Sequence, residues 1–281
     1  MNFDEFIQQL SKVSTVEIAI YGLGLGLLVF WFVKTSFGTR SLAGSTARRN
    51  NMPFYIPFLI LFIWFAIISI IISVSHWFLG NLPDWQKAFL DNLVLCIGAM
   101  ISMVVIIFLV RRYFVRGLKG FGLNIKTIPR DFGVAFLNLF SVYPLVSLAL
   151  GLTMYFGHLI WGPDFRLQQH EELEILMVYE QLSLRVLIII TAAVIVPIFE
   201  EMLFRGIFQT TIRSYVEKPW IAILLTAFIF AMVHYNKEHW PALFVLGACL
   251  GYAYEKSGSL FRSIFVHSLF NTTSLIVALN Q

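Results

Sequence analysis

Long apolar runs that repeat along the whole chain limit what this sequence can fold into. One of them, LIIITAAVIVPIF at 187–199, contains no charged residue. A helix of about 20 apolar residues crosses the hydrocarbon core of a bilayer. Hydrophobic residues make up 58% of the 281 residues and charged residues only 13%, against about a quarter charged in soluble domains. The sequence therefore predicts a polytopic membrane protein.

The runs predict an all-α bundle of about eight transmembrane helices. No basic segment followed by a cleavage site stands near Met1, so we expect the first run to be retained rather than removed as a signal peptide. The sixth and seventh runs are short and are separated only by YNKEH at 235–239. The predicted spans are 16–33, 54–79, 88–110, 133–161, 182–204, 219–234, 240–255 and 259–279.

Lysine and arginine are distributed unevenly between the two sets of loops. Of the 20 basic residues, fifteen follow the first, third, fifth and seventh spans, four lie on the opposite side, and Arg185 lies inside the fifth span, where its stem can reach the interface. Basic loops stay in the cytoplasm, so both termini are predicted outside. The same rule accounts for the net charge of +4 without a nucleic-acid partner.

Three charges interrupt the fifth apolar run, in FEEMLFRG at 199–206. Residues four apart share one face of a helix, so Glu201 can pair with Arg205. Glu200 is rotated by about 100° from Glu201 and is left without an intrahelical partner. Pro197 removes a helical hydrogen bond just before the pair. An ionisable group in a membrane span is costly and is a functional candidate by default, which makes Glu200 a candidate general base.

Two later spans carry polar residues at the same spacing of four. Phe230 and His234 lie on one face of the sixth span, and His267 and Asn271 lie on one face of the eighth. A glutamate, two imidazoles and an amide supply a general base, possible metal ligands and donors to an oxyanion. These types of residue predict a hydrolytic site that activates water.

Other hydrolytic sites find less support in the sequence. There is no GxSxG motif, and Ser268 points away from its neighbour His267 on the helix. Asp91 near the outer end of the third span has no second aspartate at matching depth, and His170-Glu171 lacks the second histidine of an HExxH motif.

The segments EEMLFR, FAMVH and HSLFN resemble, in this order, the EExxxR, FxxxH and HxxxN motifs of the CAAX-processing and bacteriocin-processing intramembrane proteases. This family includes the type II CAAX prenyl endopeptidases. The resemblance covers roughly residues 180–281. It divides the chain into a protease core of about four helices at 179–281 and a region of about four spans at 1–178, whose role the sequence does not indicate.

The resemblance implies a role for each matched residue. Glu200 would polarise the water with help from His234, while His267 and Asn271 would hold the water or stabilise the oxyanion. Glu201, Arg205 and Phe230 would support the site. The family implies either a metal-free glutamate mechanism or a metalloprotease in which Glu200, His234 and His267 bind zinc, with water as the fourth ligand. No other cofactor is expected.

The implied function is an intramembrane endopeptidase that cleaves a membrane protein or a lipidated or peptide substrate in the cytoplasmic membrane of a bacterium. One alternative is a catalytically silent scaffold, such as an immunity or regulatory protein that kept the motifs. Another is a small transporter, which requires repeats or broken helices in matching halves; the sequence shows no such symmetry.

The depths of the site residues present a difficulty. If the fifth span ends at residue 204, Glu200 lies near its inner end and His234 near the outer end of the sixth span, so the two cannot meet. Either the fifth helix continues past residue 204, or the sixth span is tilted so that its outer end lies in a funnel. The apolar or weakly polar segment GIFQTTI at 206–212 favours the first explanation. With Glu200 near the inner end of its span, the cavity is expected to open to the cytoplasm.

Overall fold

The computed structural model describes residues 4, 7, 8, 14–168 and 171–279. The residues next to Met1, on which the signal-peptide expectation depends, as well as Lys12 and His170, lie outside the described residues. Over the described residues the chain is helical with no β-strand, and Asn50 and Phe114 form one isolated antiparallel bridge. The predicted all-α fold is confirmed.

Ten helices follow one another along the described chain. In order they are α1 Thr15–Lys34, α2 Ile56–Leu79, α3 Asp84–Tyr113, α4 Gly117–Phe121, α5 Ile128–Trp161, α6 Glu171–Val178, α7 Leu182–Tyr215, α8 Pro219–Met232, α9 Trp240–Ser257 and α10 Leu260–Leu279. Pro144 lies inside α5, which continues through it.

Six of the described helices are long and apolar enough to cross a membrane: α1, α2, α3, α5, α7 and α10. The sixth and seventh predicted spans correspond to α8, which has only 14 residues, and α9, whose 18 residues include Glu255 and Lys256. These two helices pack against each other as a hairpin joined by the short YNKEH connection. The protein is an integral, multi-pass membrane protein, and the count of eight full spans is not reproduced.

Helices α2 and α3 expose much of their apolar surface, whereas every residue of α7 from Glu201 to Gln209 is buried. On α2, only Pro57 and Ile68 are buried. Lipid tails are as apolar as these side chains, so exposed apolar faces are expected of helices at the edge of a membrane bundle. The motif-bearing segment of α7 therefore lies in the centre of the bundle, packed against α8, α9 and α10.

One end of the bundle is closed by packed loops, and we call it the basic end: residues 35–55, 111–130, 216–218 and 256–262. The Arg48 guanidinium lies 3.7 Å from the centre of the Tyr254 ring. The Tyr254 hydroxyl donates to the Phe121 carbonyl at 2.8 Å. Arg262 on α10 pairs at 2.8 Å with Asp131, a fully buried residue of α5.

The opposite end we call the acidic end: residues 80–83, 162–181 and 235–239. His239 Nε2 lies 2.8 Å from the Gln168 carbonyl, which ties two of these loops together. Arg185 donates to the carbonyls of Leu176 at 3.2 Å and Tyr179 at 2.8 Å. Arg185 therefore donates to a carbonyl in the last turn of α6 and to the carbonyl of the residue that follows the helix.

Candidate active site

Helix α7 carries the first motif and is not a uniform α-helix. It is α-helical over Leu182–Ile190, Val196–Glu200 and Thr210–Tyr215, and π-helical over Thr191–Ile195 and Glu201–Gln209. Pro197 lies in the α-helical segment between the two π-segments, where its missing N–H interrupts the regular ladder. π-Helical turns occur frequently at functional sites. Glu200 is the last residue before the second of them.

Glu201 and Arg205 form the ion pair that the spacing predicted. Arg205 Nη1 lies 2.7 Å from Glu201 Oε1, and both residues are 0% exposed. The guanidinium also donates from Nη2 to the Gly247 carbonyl of α9 at 3.1 Å, and it lies 4.5 Å from the centre of the Phe230 ring. The pair thus neutralises two charges within the bilayer and joins α7 to α8 and α9.

Glu200 lies near the middle of α7 and faces two imidazoles. Its Oε1 is 3.9 Å from His234 Nε2, and its Oε2 is 3.7 Å from His267 Nε2. Because α7 extends to Tyr215 instead of ending at residue 204, Glu200 reaches the depth of His234. The expected continuation of this helix is confirmed, and the premise that placed Glu200 near the inner end of its span is wrong.

Hydrogen bonds determine which ring nitrogen of each histidine carries hydrogen. His234 Nδ1 lies 2.7 Å from the Phe230 carbonyl, an acceptor, so Nδ1 must donate. His267 Nδ1 lies 2.9 Å from Glu201 Oε1 and donates to this carboxylate. In the neutral form of each ring, Nε2 then presents its lone pair to the side occupied by Glu200. The distances of 3.7 and 3.9 Å are too long for direct hydrogen bonds.

Asn271 and Phe230, the last two predicted site residues, contact the backbone of α7 and the two imidazoles, respectively. The Asn271 amide donates to the Ala192 carbonyl at 2.9 Å, in the first π-segment of α7. The Phe230 ring is fully buried and lies 4.8 Å from the His234 ring and 6.0 Å from the His267 ring, measured between centroids. Phe230 thus orients His234 through its carbonyl, and its ring packs against both imidazoles.

The three motifs, now seen together in space, lie inside a single match to a known family. The model described as type II CAAX prenyl endopeptidase, Rce1-like, matches residues 182–273. Residues 182–273 are therefore similar to the type II CAAX prenyl endopeptidases, a family of intramembrane proteases. We refer to 182–273 as the Rce1-like region.

A curated protein of Escherichia coli, described as an uncharacterized 24.3 kDa protein, is 30% identical to the chain over 95 residues. The match covers 32% of this chain and 44% of the relative, so the chain matches less than half of the relative's length. No solved structure matches the chain.

A cavity of about 530 Å³ surrounds the side chains that the Rce1-like region brings together. Glu200, His234, His267 and Asn271 all line it. Helices outside the region form much of the remaining wall, with Leu61, Trp64 and Phe65 from α2, Asn92 and Leu95 from α3, and Val146 and Leu150 from α5. The first 178 residues therefore contribute walls to the cavity, which the sequence did not indicate.

Among the polar residues of the cavity wall that were not predicted from the sequence are Thr191, Trp64 and Asn92. Thr191 is 2% exposed, and its hydroxyl has no hydrogen-bond partner among the described residues. The same holds for the buried Trp64 Nε1. Asn92 is 7% exposed and donates to the Ala88 carbonyl of its own helix at 3.0 Å. A single threonine, tryptophan or asparagine in an apolar run does not form a recognisable sequence motif. These three residues are identified only by their shared position in the cavity wall.

The structure does not support the predicted zinc alternative. Glu200, His234 and His267 have suitable chemical types. Within the described part of the chain, however, no group of three or more His, Cys, Asp or Glu side chains is placed to hold one metal ion. The residues as placed do not fit a zinc centre.

Proposed function

We propose that the chain is an intramembrane endopeptidase in which Glu200, His234 and His267 activate one water molecule. The observation that supports this proposal is the convergence of the Glu200 carboxylate and two Nε2 lone pairs within one cavity of the Rce1-like region. A general base must lie within hydrogen-bond reach of the proton it removes, directly or through one water. A water between these three acceptors can donate to Glu200 and to one imidazole.

In the proposed reaction, Glu200 takes a proton as the water oxygen attacks the carbonyl carbon of the scissile peptide. The C–N bond then breaks, and the Glu200 carboxylic acid returns its proton to the leaving nitrogen. Asn271 has a second amide hydrogen beyond the one donated to Ala192, and this hydrogen is the proposed donor to the oxyanion. The products are a carboxylic acid and an amine.

In this proposal Glu201 and Arg205 act indirectly, by positioning His267. The Glu201 carboxylate accepts from His267 Nδ1 and from Arg205 at the same oxygen, Oε1. It therefore holds His267 in the tautomer whose Nε2 faces the cavity. These two residues position the histidine and do not contact the proposed water.

Comparison of protein termini between membranes that contain wild-type protein and Glu200→Ala tests the proposal and identifies the substrate. We expect at least one new peptide terminus in the wild type that is missing from Glu200→Ala. Glu217→Ala is the matched control, because Glu217 is exposed and lies outside the cavity. Its termini should match the wild type.

Wild-type termini and wild-type cellular function in Glu200→Ala would contradict an endopeptidase and favour the silent scaffold. Glu200→Ala must be present in the membrane at the wild-type level for this comparison to count.

Thr191 is proposed to bind the substrate backbone. A peptide that enters an apolar cavity must find partners for its N–H and C=O groups. The Thr191 hydroxyl lines the cavity and has no hydrogen-bond partner within the described part of the chain. Thr191→Val keeps the shape and should raise KM roughly fivefold with little change in kcat. It should not lower thermal stability, because no internal hydrogen bond is lost. A peptide that spans the cleavage site found in membranes is the assay substrate.

Thr153→Val is the control for this variant. The Thr153 hydroxyl donates to the Ala149 carbonyl within α5 at 2.9 Å and does not line the cavity. Thr153→Val should leave KM unchanged. A wild-type KM in Thr191→Val would exclude the proposed contact with the substrate.

A further inference from the structure

Two features indicate from which side of the membrane the cavity is reached: the charged residues at the two ends of the bundle and the packing around α7. Arg205, which sequence analysis counted with the loops, is fully buried on α7. The other fourteen basic residues of that group lie at or next to the basic end. They are Lys34, Arg40, Arg48, Arg49, Arg111, Arg112, Arg116, Lys119, Lys126, Arg130, Arg213, Lys218, Lys256 and Arg262.

The acidic end carries the opposite balance. Its described basic residues, with those of the adjoining helix ends, are Lys87, Arg166, Arg185 and Lys237. Its described acidic residues, counted in the same way, are Asp84, Asp91, Asp164, Glu172, Glu174, Glu180 and Glu238. Because Lys and Arg in short loops remain in the cytoplasm, this bias places the basic end in the cytoplasm and the acidic end on the other side of the membrane.

The cavity extends from Glu200 toward the acidic end. Its lining includes Glu172 from α6, and Tyr235 and His239 from the connection between α8 and α9. Tyr235 is 94% exposed, so it marks the rim of the cavity at this end. All three residues belong to the acidic end.

Between Glu200 and the basic end the bundle is sealed. Glu201, Arg205 and Gln209 follow one another at intervals of four along α7 and are 0%, 0% and 1% exposed. The Gln209 amide donates to the Gly251 carbonyl of α9 at 3.1 Å. Beyond it, Arg213 pairs with Glu255 at 3.3 Å. None of these five polar residues, four on α7 and Glu255 on α9, lines the cavity.

We infer that the candidate site is open to the non-cytoplasmic side of the membrane. This inference replaces the expected cytoplasmic opening, and it rests on the proposed function only for what it says about substrates. The substrate class is then a polypeptide segment exposed at the outer face, from a membrane protein or a secreted peptide. A cytoplasmic tail, lipidated or not, lies on the sealed side and cannot reach Glu200.

Cysteine accessibility tests the orientation without any assay of activity. In a chain with Cys96→Ala and Cys249→Ala, the two described native cysteines, one cysteine is placed at the rim by Tyr235→Cys. The matched position is Val115→Cys, an uncharged residue of the basic end that is 67% exposed. A membrane-impermeant maleimide should label Tyr235→Cys in spheroplasts, and Val115→Cys only after permeabilisation. The reverse pattern, or protection of Tyr235→Cys until permeabilisation, overturns the inference.

A third position examines the cavity itself. Ser274 lines the cavity on α10 and has no assigned role in the reaction. Ser274→Cys should react with a small charged thiosulfonate added to intact spheroplasts, and reaction only from the cytoplasmic side of inverted vesicles would refute the opening. An inactive protein with labelled Tyr235→Cys and Ser274→Cys would refute the proposed protease and leave the orientation intact.

Discussion

Glu200→Gln is expected to lower kcat by about 10²–10⁴-fold, the usual contribution of a general base. The amide keeps the shape of the carboxylate and can still donate or accept a hydrogen bond, but it cannot remove a proton from water. The neighbouring groups depend on Glu201 and Phe230 rather than on Glu200, so both imidazoles should stay in place. The measurement is single-turnover cleavage, by purified protein, of a peptide that spans the site identified in membranes.

Two controls separate loss of chemistry from loss of structure. Glu217→Gln makes the same chemical change at an exposed position and should cleave at the wild-type rate. The melting temperature of Glu200→Gln should equal that of the wild type, since the Glu200 oxygens lie 3.7 and 3.9 Å from the imidazoles and make no close pair. A rate within a few-fold of wild type would remove Glu200 from the role of base.

The sequence was sufficient for those parts of the site that depend on helical periodicity. A spacing of four predicted that Glu201 pairs with Arg205 and that Glu200 is left free to face other helices, and the distances agree. The same logic does not predict a helix end. Charged residues at 200–205 resemble the end of a membrane span. Glu201 and Arg205, however, neutralise each other inside the protein, and α7 continues to Tyr215.

Features that depend on other helices were not predictable from local sequence. The π-segment at Thr191–Ile195 has its Ala192 carbonyl bonded to Asn271, which is 79 residues away along the chain. The second π-segment packs against α9 where Gly251 allows close approach; a Cβ at Gly251 would lie 2.8 Å from Gln209 Oε1. The cavity wall likewise combines α2, α3 and α5 with the Rce1-like region, and no periodicity within one helix indicates such a combination.

Arg205→Met should destabilise the protein by about 3–5 kcal/mol, the usual cost of removing one partner of a buried ion pair. Glu201 would remain 0% exposed without its cation, and the Gly247 carbonyl would lose its donor. Methionine approximates the length of the arginine stem, so little of the effect should come from lost packing. Unfolding in detergent micelles, followed by circular dichroism, measures the change.

The double variant Glu201→Gln with Arg205→Met distinguishes an unpaired charge from a general packing defect. With the carboxylate neutralised, part of the lost stability should return, because the cost of a buried and unpaired charge is larger than the net contribution of the pair. Arg112→Met at an exposed position of α3 is the control and should unfold as the wild type does. Activity should stay low in the double variant, since a neutral amide at 201 no longer holds His267 with the charge-assisted bond to Nδ1. Equal stability of Arg205→Met and wild type would show that the pair is not required to keep Glu201 within the membrane.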